Sequence, residues 1–283
     1  MRIAHLILAH KAPQQLERLV RALAHPEADV FIHLDRKTDI GPFAALQELP
    51  RVQFTRRRFD VRWGGFSLTN VVIESLREIL QAPAAYECIN LLSGEDYPIK
   101  SRAVIHAFFA QHRGRSFVEC EPEGSAWWAA NRSHVSEYHL TEYRFPGRYF
   151  VQHWLNRLLP PRTAPLLPVL YGGNMGGWYA LSRESAAYLV GYLDAHPRLR
   201  RFFQLTWGSD EVLIHSILLN SPLAATVVNN NLRYIDWSGG GHSPKVLAPK
   251  DLPKLVASSR LYARKFDVAV DAGVLDELDR LNG

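Results

Sequence analysis

The chain has 283 residues, 47% of them hydrophobic and 22% charged, which is typical of a soluble globular protein of one large domain or two small ones. Its net charge of +5 indicates only a mild preference for anionic partners. Two cysteines, Cys88 and Cys120, exclude a disulfide framework, so we expect a reducing compartment.

Strands and helices alternate in the first half of the chain. The predicted strands cover 3–10, 28–35, 86–94 and 115–121, and the predicted helices cover 12–23, 67–82 and 101–112, the last capped by Ser101. Short apolar strands separated by helices of 10 to 15 residues are typical of a parallel α/β sheet.

The second half is less regular. Residues 122–171 are rich in Trp, Tyr, Arg, His and Pro without a clear period, which indicates a loop-rich insertion. The predicted elements that follow are a strand at 176–182, a helix at 182–195, a helix at 209–220 and a strand at 225–237. Since no repeat or linker interrupts the chain, we expect one domain over residues 1–283.

The hydropathy pattern predicts neither a signal peptide nor a membrane span. The first apolar run is short, contains His5, and leads into a helical pattern rather than a cleavage site. No segment approaches 18 continuous apolar residues. We therefore expect a cytoplasmic protein.

Polar residues follow three predicted strands directly. His10 and Lys11 end the first strand, Asp35 ends the second, and Gly94, Glu95 and Asp96 form the turn after the third. Open α/β sheets bind ligands beyond the carboxyl ends of their strands. This edge is therefore the expected position of a ligand site.

Several common catalytic motifs are absent. The sequence has no GxGxxG after a strand, no P-loop, no HExxH, no CxxC, no GxSxG and no DxD. The nearest acidic pattern is Glu119-Cys120-Glu121, whose carboxylates would share a face on a strand and could bind a metal or sugar hydroxyls. An ordinary polar strand end explains this pattern equally well.

The C-terminal region combines a Gly-rich loop with cations. Its basic residues are His242, Lys245, Lys250, Arg260, Arg264 and Lys265. A cluster of this kind could neutralise a diphosphate through charge-assisted hydrogen bonds, although a solvated basic surface would have the same spacing. Tryptophans 127, 128, 178 and 237 lie beside polar loops, where they could pack on sugar rings or belong to the core.

Asp210 and Glu211 lie at the start of the helix predicted at 209–220. Ser209 is a suitable N-cap, and acidic residues in a first turn complement the helix dipole. The same dipole would keep a carboxylate ionised, as a general base requires. A structural role and a chemical role are therefore compatible here.

Several segments, taken in order, resemble glycosyltransferase family 14, which contains the core 2/I-branching N-acetylglucosaminyltransferases and the peptide O-xylosyltransferases. These segments are INLLSGEDYPIKS, GGWYALSRE, WGSDEVLIHSILLNSP, NNNLRYIDW and LYARKFD, together with the opening LILAHKAPQQLERLVRAL and VFIHLDRKT. The resemblance implies a GT-A-like, Rossmann-like α/β/α fold. It also implies inverting transfer from a UDP-sugar to an acceptor hydroxyl without the usual DxD metal site, with no cofactor. Residues 1–121 would then form mainly the nucleotide-binding half and residues 122–283 the acceptor-binding and catalytic half.

The resemblance also implies individual roles. Glu211 matches the glutamate of the family's Ser-Pro-Asp-Glu motif and would be the base. Lys265, with Arg264 beside it, matches the segment that holds the donor diphosphate, and the second cation would be Lys245 or His242. The donor site would further include two positions near the first strands, His10 and Asp35, and Asp96 where the donor sugar should lie.

The acceptor side follows the family pattern poorly, because residues 122–171 fit least. We assign Glu119, Glu121, Trp178 and Trp237 to acceptor binding. The segments ARKFD and NNNLRYIDW lean toward the xylosyltransferase branch, so the donor sugar stays open between GlcNAc and xylose.

The sequence predicts neither the membrane anchor nor the disulfides of animal members, and we interpret the chain as a bacterial enzyme of surface-polysaccharide synthesis. Its acceptor would be a glycan or lipid-linked glycan. The Arg- and aromatic-rich residues 143–162 predict peripheral contact with the inner membrane face. A net charge of only +5 and no recognised motif argue against a nucleic-acid partner. The alternative is a catalytically degenerate protein of the same fold that binds a glycan or nucleotide.

Overall fold

A computed structural model describes residues 1–173, 177–240 and 243–282. His242, one of the two candidates for the second diphosphate cation, lies outside the described residues. No helix among the described residues is both long and apolar enough to span a bilayer.

A seven-stranded sheet organises the described residues. In chain order the strands are β1 (Ile3–Ala9), β2 (Ala28–Leu34), β3 (Val52–Phe54), β4 (Cys88–Ser93), β5 (Asp96–Pro98), β6 (Ser116–Val118), β7 (Glu121–Pro122), β8 (Tyr171–Gly172), β9 (Tyr179–Ser182), β10 (Val227–Val228), β11 (Arg233–Ile235) and β12 (Tyr262–Arg264). The order across the large sheet is β10-β6-β9-β4-β1-β2-β3. Neighbouring strands are parallel, except that β9 runs antiparallel to both of its neighbours, β4 and β6.

Helices cover both faces of this sheet. They are α1 (Pro13–Ala22), α2 (Phe66–Leu80), α3 (Arg102–Gln111), α4 (Ala126–Asn131), α5 (Ser133–Ser136), α6 (Arg148–Leu158), α7 (Arg183–Ala195), α8 (Pro197–Phe203), α9 (Leu213–Leu219), α10 (Leu252–Ala257) and α11 (Gly273–Asn282). Helices α1, α3 and α11 share one hydrophobic cluster, and α2, α7 and α9 share the other. The predicted Rossmann-like α/β/α fold class is therefore confirmed.

The first half forms as predicted because its local signals agree with its packing. β2 and β4 are buried along their whole length, as expected for apolar strands covered on both faces. Pro13 occupies the first turn of α1, where a missing amide hydrogen costs nothing. Ser101 caps α3 by accepting a hydrogen bond from the Val104 amide, as predicted.

The helix predicted at 209–220 is wrong at its start. Ser209–Glu211 form a separate 3-10 turn, and α9 begins only at Leu213, after Val212 leaves helical geometry. Ser209 does not cap, because its hydroxyl lies 2.7 Å from the Thr69 hydroxyl of α2. The residue before the turn is Gly208, whose φ of 60° lies in the left-handed region that favours glycine.

Two other predictions in the second half also need correction. The strand predicted at 225–237 is two short strands in different sheets, β10 beside β6 and β11 beside β12. The predicted loop-rich insertion at 122–171 contains three helices, α4, α5 and α6.

A three-stranded sheet, β11-β12-β5, lies beside the turn that follows β4. β12 pairs antiparallel with β5, and their register sets Arg264 opposite Asp96. The C-terminal basic segment is thereby brought back to the carboxyl end of β4.

Candidate functional site

The site forms at the carboxyl ends of the parallel strands. β1 leads into His10, β2 into Asp35, β4 into Glu95 and Asp96, and β6 into Glu119. Because β9 runs antiparallel, its amino end and the preceding Trp178 reach the same edge. The topology therefore gathers predicted site residues from both halves of the chain.

A buried cation and carboxylate lie at the centre of this edge. Asp96 is fully buried, and its Oδ2 accepts a 2.8 Å hydrogen bond from the Ser93 amide. Its Oδ1 lies 3.5 Å from Nε of Arg264, whose guanidinium stands 4.1 Å from the centre of the Trp178 ring. Among the described residues, Nε and Nη1 of Arg264 make no hydrogen bond, so this buried guanidinium retains donors for an anionic ligand.

The acidic turn, residues 208–211, lies directly against this centre. The Asp210 backbone oxygen and Oδ2 would lie 3.0 and 3.3 Å from a Cβ placed on Gly177, so a larger residue there would push the two segments slightly apart. Gly177 precedes Trp178, whose ring packs against the guanidinium of Arg264. Asp210 and Glu211 therefore lie one short segment away from the buried cation.

The carboxyls of the acidic turn hold their protons unusually well. Burial raises the pKa of Asp210 above that of an ordinary aspartate. Burial also raises the pKa of Glu211, and the neighbouring Asp210 charge raises it further. The expectation that a helix end keeps Glu211 ionised is wrong, because α9 starts only after Glu211 and burial raises the pKa of Glu211.

Aromatic side chains form one wall of the acidic turn. Trp207 packs its ring 4.4 Å from the His134 ring and 5.1 Å from the Trp63 ring. A Cβ on Gly208 would lie 3.5 Å from Glu211 Oε2 and 3.9 Å from His134 Nδ1, so these two groups border the same backbone position. Burial lowers the pKa of His134 to about 4, which leaves a neutral imidazole beside Glu211.

A second set of charges surrounds Lys265. Lys265 Nζ lies 3.2 Å from Glu95, and Glu95 also pairs at 2.7 Å with Lys11. Burial alone would raise the pKa of Glu95, but the two lysines outweigh it and lower that pKa. Lys265 also donates to the Ser243 hydroxyl at 3.3 Å, which brings it beside the Gly-rich loop.

Lys245 is held differently from Lys265. Its Nζ lies 2.6 Å from the buried Asp251 carboxylate and 3.9 Å from Asp236. The hydrogen bond to Asp251 raises the pKa of Lys245. Lys245 therefore occupies the region predicted for the second diphosphate cation, but its charge is already neutralised by this pairing.

Asp35 has its carboxylate committed to the backbone. Oδ1 accepts a 2.8 Å hydrogen bond from the Lys37 amide, and Oδ2 accepts a 3.3 Å bond from the Val61 amide. The exposed His10 is tied to the same turn through its carbonyl, which accepts a hydrogen bond from Thr38. The two residues predicted for the donor site near the first strands thus flank the same turn.

The acceptor candidates are more scattered. Glu119 and Glu121 do not share a strand, because β6 ends at Val118 and Glu121 begins β7 in a separate sheet. Burial raises the pKa of Glu119, and the charge of Glu121 adds to this rise while Arg260 opposes it. Trp178 lies in the site under Arg264, and Trp237 is 40% exposed. Of the remaining tryptophans, Trp128 belongs to the core.

Sequence reasoning missed two residues at this edge, His134 and His215, and gave no role to Lys11. Lys11 joins the Glu95 pair, His134 and Glu211 both border Gly208, and His215 is fully buried beside Gly173 and Glu119. Burial lowers the pKa of His215 to about 4. The motif WGSDEVLIH contains His215, but His134 lies in the aperiodic segment and has no sequence signal.

Three side chains among the described residues come close enough to share a metal ion: His25, Glu27 and His106. They lie at the amino ends of the strands, opposite the site, and Glu27 already pairs with the N-terminal ammonium. The two imidazole rings stack at 3.9 Å with an interplanar angle of 19°, so their lone pairs lie in nearly parallel planes.

Comparisons with known proteins agree with the resemblance found in the sequence. The family model described as Core-2/I-Branching enzyme matches residues 3–256. Mouse and human Xylosyltransferase 2 are each 28% identical over 302 residues, covering 99% of this chain and 33% of each relative. Xylosyltransferase oxt of Drosophila pseudoobscura pseudoobscura is 28% identical over 311 residues, with the same coverages. The chain thus spans about a third of the length of these curated relatives.

Among solved structures, mouse Xyloside xylosyltransferase 1 in its apo form superposes with a TM-score of 0.42 and 11% identity. The superposition covers 92% of this chain and 97% of that one.

Proposed function

Because this chain belongs to the Core-2/I-branching enzyme family, we propose that it is an inverting glycosyltransferase that moves a sugar from a UDP-sugar to an acceptor hydroxyl. The observation that carries the proposal is the meeting of the acidic turn with Arg264 at the carboxyl edge of the sheet. Open α/β sheets bind their ligands at this edge.

In the proposed reaction, Glu211 accepts the proton of the acceptor hydroxyl while that oxygen attacks the anomeric carbon. The bond from the anomeric carbon to the diphosphate oxygen breaks on the opposite face, and UDP leaves with the electron pair. Arg264 and Lys265 stabilise the negative charge that develops on the leaving diphosphate. A base of this kind typically contributes about 10²–10⁴-fold to the rate.

The environment of Glu211 suits a base. A carboxylate with an ordinary low pKa would be a weak proton acceptor at neutral pH, whereas burial and the Asp210 charge raise the pKa of Glu211. His134 borders the same backbone position, Gly208, and because it is neutral it adds no positive charge that would lower the pKa of Glu211. Asp210 would therefore affect the reaction indirectly, because its charge raises the pKa of Glu211.

The donor sugar is proposed to be xylose or GlcNAc, with xylose tested first because the curated relatives cited above are xylosyltransferases. Transfer is proposed to be independent of a divalent metal, with cations of the chain holding the diphosphate. For the acceptor we propose a glycan or lipid-linked glycan of a bacterial surface polysaccharide.

The test is a panel of UDP-sugars offered to the purified chain, with and without EDTA. Thermal shift reports donor binding, and release of UDP reports slow transfer to water in the absence of an acceptor. We expect one donor to stabilise the chain and release UDP at a rate that EDTA leaves unchanged. Binding without UDP release, even with glycan acceptors added, would instead support the catalytically degenerate protein. Loss of release in EDTA would overturn metal independence.

A further inference from the structure

Helix α6 has an unusual orientation, because two of its polar side chains, Gln152 and Asn156, face the protein while its largest apolar side chains face outward. Gln152 accepts a 2.9 Å hydrogen bond from the Leu140 amide. Asn156 bonds both the amide and the carbonyl of Tyr138. None of the eleven residues of α6 is buried. The helix is therefore fixed to the protein by two amides rather than by an apolar stripe.

We define the outer face of α6 as Tyr149, Phe150, Trp154, Arg157 and Leu158. The last four share one side at helical spacing, and Tyr149 lies at the edge of that side. Tyr149, Phe150 and Leu158 are 69%, 68% and 74% exposed. Their rings are arranged against one another and against cations: Phe150 lies 6.2 Å from Trp154, and Arg157 lies 5.8 Å from the Trp154 ring. An exposed apolar surface of this kind marks an interaction site.

The chain segment that carries this face has charges of one sign only. Between Glu142 and Glu184 the sequence has no Asp or Glu. The flanking cations are Arg144 and Arg148, and Arg148 stands 4.6 Å from the Tyr149 ring. A face of Tyr, Phe, Trp and Leu with Arg and no acid matches the interface of an anionic bilayer, where aromatic rings lie at the headgroups and arginine pairs with lipid phosphate.

The outer face is linked to the acidic turn through a short series of contacts. Leu140, which α6 holds, is close in sequence to Glu142, whose carboxylate accepts a 2.8 Å hydrogen bond from the Ser67 amide at the start of α2. Two residues further along α2, Thr69 holds Ser209 of the acidic turn. The α5 residue His134 and Glu211 both border the backbone position of Gly208. A series of contacts therefore links the helix that carries the outer face to the wall of the site.

We propose that the outer face of α6 docks the chain onto an anionic membrane surface. Docking in this way would present the site to acceptors held in that membrane, so the acceptor class is a lipid-linked glycan. The acceptor assignment rests on the proposed transferase function. The docking itself does not.

The experiment is flotation of the full chain with vesicles of phosphatidylcholine alone or of equal parts phosphatidylcholine and phosphatidylglycerol, at low and high salt. We expect flotation with the anionic vesicles at low salt and much less in the other conditions. The variant R148E/R157E should lower the vesicle affinity about tenfold or more, and Y149S/F150S should lower it at both salt concentrations. Matched controls are R280E and V270S, whose side chains are 72% and 68% exposed on other surfaces.

Absence of flotation with anionic vesicles overturns the proposal, as does flotation that is equally sensitive to the control variants. Self-association that Y149S/F150S abolishes, in a chain that does not float, would instead assign the face to a second copy. Thermal shift with UDP-sugars is measured on the same variants. Unchanged donor binding together with lost flotation would support docking, whereas donor binding without any flotation would leave the transferase proposal standing and remove only the membrane.

Discussion

The acidic turn and the basic end of β12 face the same site but are built in opposite ways. Each cation at β12 already has a carboxylate partner: Arg264 has Asp96 at 3.5 Å, and Lys265 has Glu95 at 3.2 Å. Among the described residues, Asp210 and Glu211 form no ion pair, and they lie next to each other instead. The protein thus compensates its buried positive charge and leaves its negative charge uncompensated.

This difference indicates different tasks. A paired cation keeps its charge at any ordinary pH and can add an anionic ligand to its existing contacts, as diphosphate binding requires. An uncompensated carboxyl has a raised pKa and exchanges its proton within the working range, as proton transfer requires. The predictions below test whether the two regions divide the chemistry in this way.

The largest expected effect is on the rate, from E211Q. Gln keeps the size of Glu but cannot accept the proton, so transfer should fall by about 10²–10⁴-fold while UDP binding is retained. UDP release in the presence of acceptor measures the rate, and thermal shift with UDP measures binding. The matched control is E184Q, an exposed glutamate in the first turn of α7. Normal turnover by E211Q would remove the base assignment.

A smaller effect, on affinity, should come from the cations. K265A removes a charge-assisted contact, so UDP affinity should fall about ten- to hundredfold, as measured by calorimetry. K245A should cost less, because Asp251 holds Lys245 at 2.6 Å, whereas Lys265 lies 3.2 Å from a Glu95 carboxylate that it shares with Lys11. H242A completes the comparison of candidates for the second cation. A greater loss from K245A than from K265A would contradict the argument from pairing.

The pH dependence of transfer should reveal the coupling inside the acidic turn. Transfer requires ionised Glu211, so the rate should fall as the pH drops through the raised pKa of this residue. D210N removes the neighbouring charge, and the acid limb of kcat/KM should then move to lower pH. An unshifted acid limb in D210N would show that the Asp210 charge does not set the proton affinity of Glu211.

The parts of the fold that could be predicted are those where local pattern and tertiary burial coincide. β1, β2 and β4 are apolar runs buried on both faces, and α1 and α2 carry their apolar stripes toward the sheet. The placement of His10, Asp35 and Asp96 at one edge follows from strand direction alone. The resemblance to a family pointed to Glu211, Arg264 and Lys265, which no spacing rule would have joined across more than fifty residues.

The failures have identifiable physical causes. The strand predicted at 225–237 breaks because Asn230 and Asn231 accept hydrogen bonds from the amides two residues ahead, and Leu232 takes a φ of 63°. The helix does not start at Ser209, because the Ser209 hydroxyl forms a tertiary hydrogen bond with Thr69 instead of capping the helix. Helix α6 escaped detection because its apolar residues face outward, so the usual link between apolar period and burial does not hold there.

The smallest expected effect is on stability, and it tests the uncompensated charge without any substrate. The folded-state pKa of Glu211 is raised above its unfolded value, so this group favours folding at acid pH, and that contribution is lost as the pH rises through the folded pKa. Since E211Q cannot ionise, it should match the wild type near pH 5 and unfold at a higher temperature near pH 9. Each unit of raised pKa corresponds to about 1.4 kcal/mol, or several degrees in Tm for a domain of this size. E184Q should show no such gain at either pH. Equal melting temperatures of E211Q and the wild type at alkaline pH would mean that ionisation of Glu211 does not destabilise the folded chain.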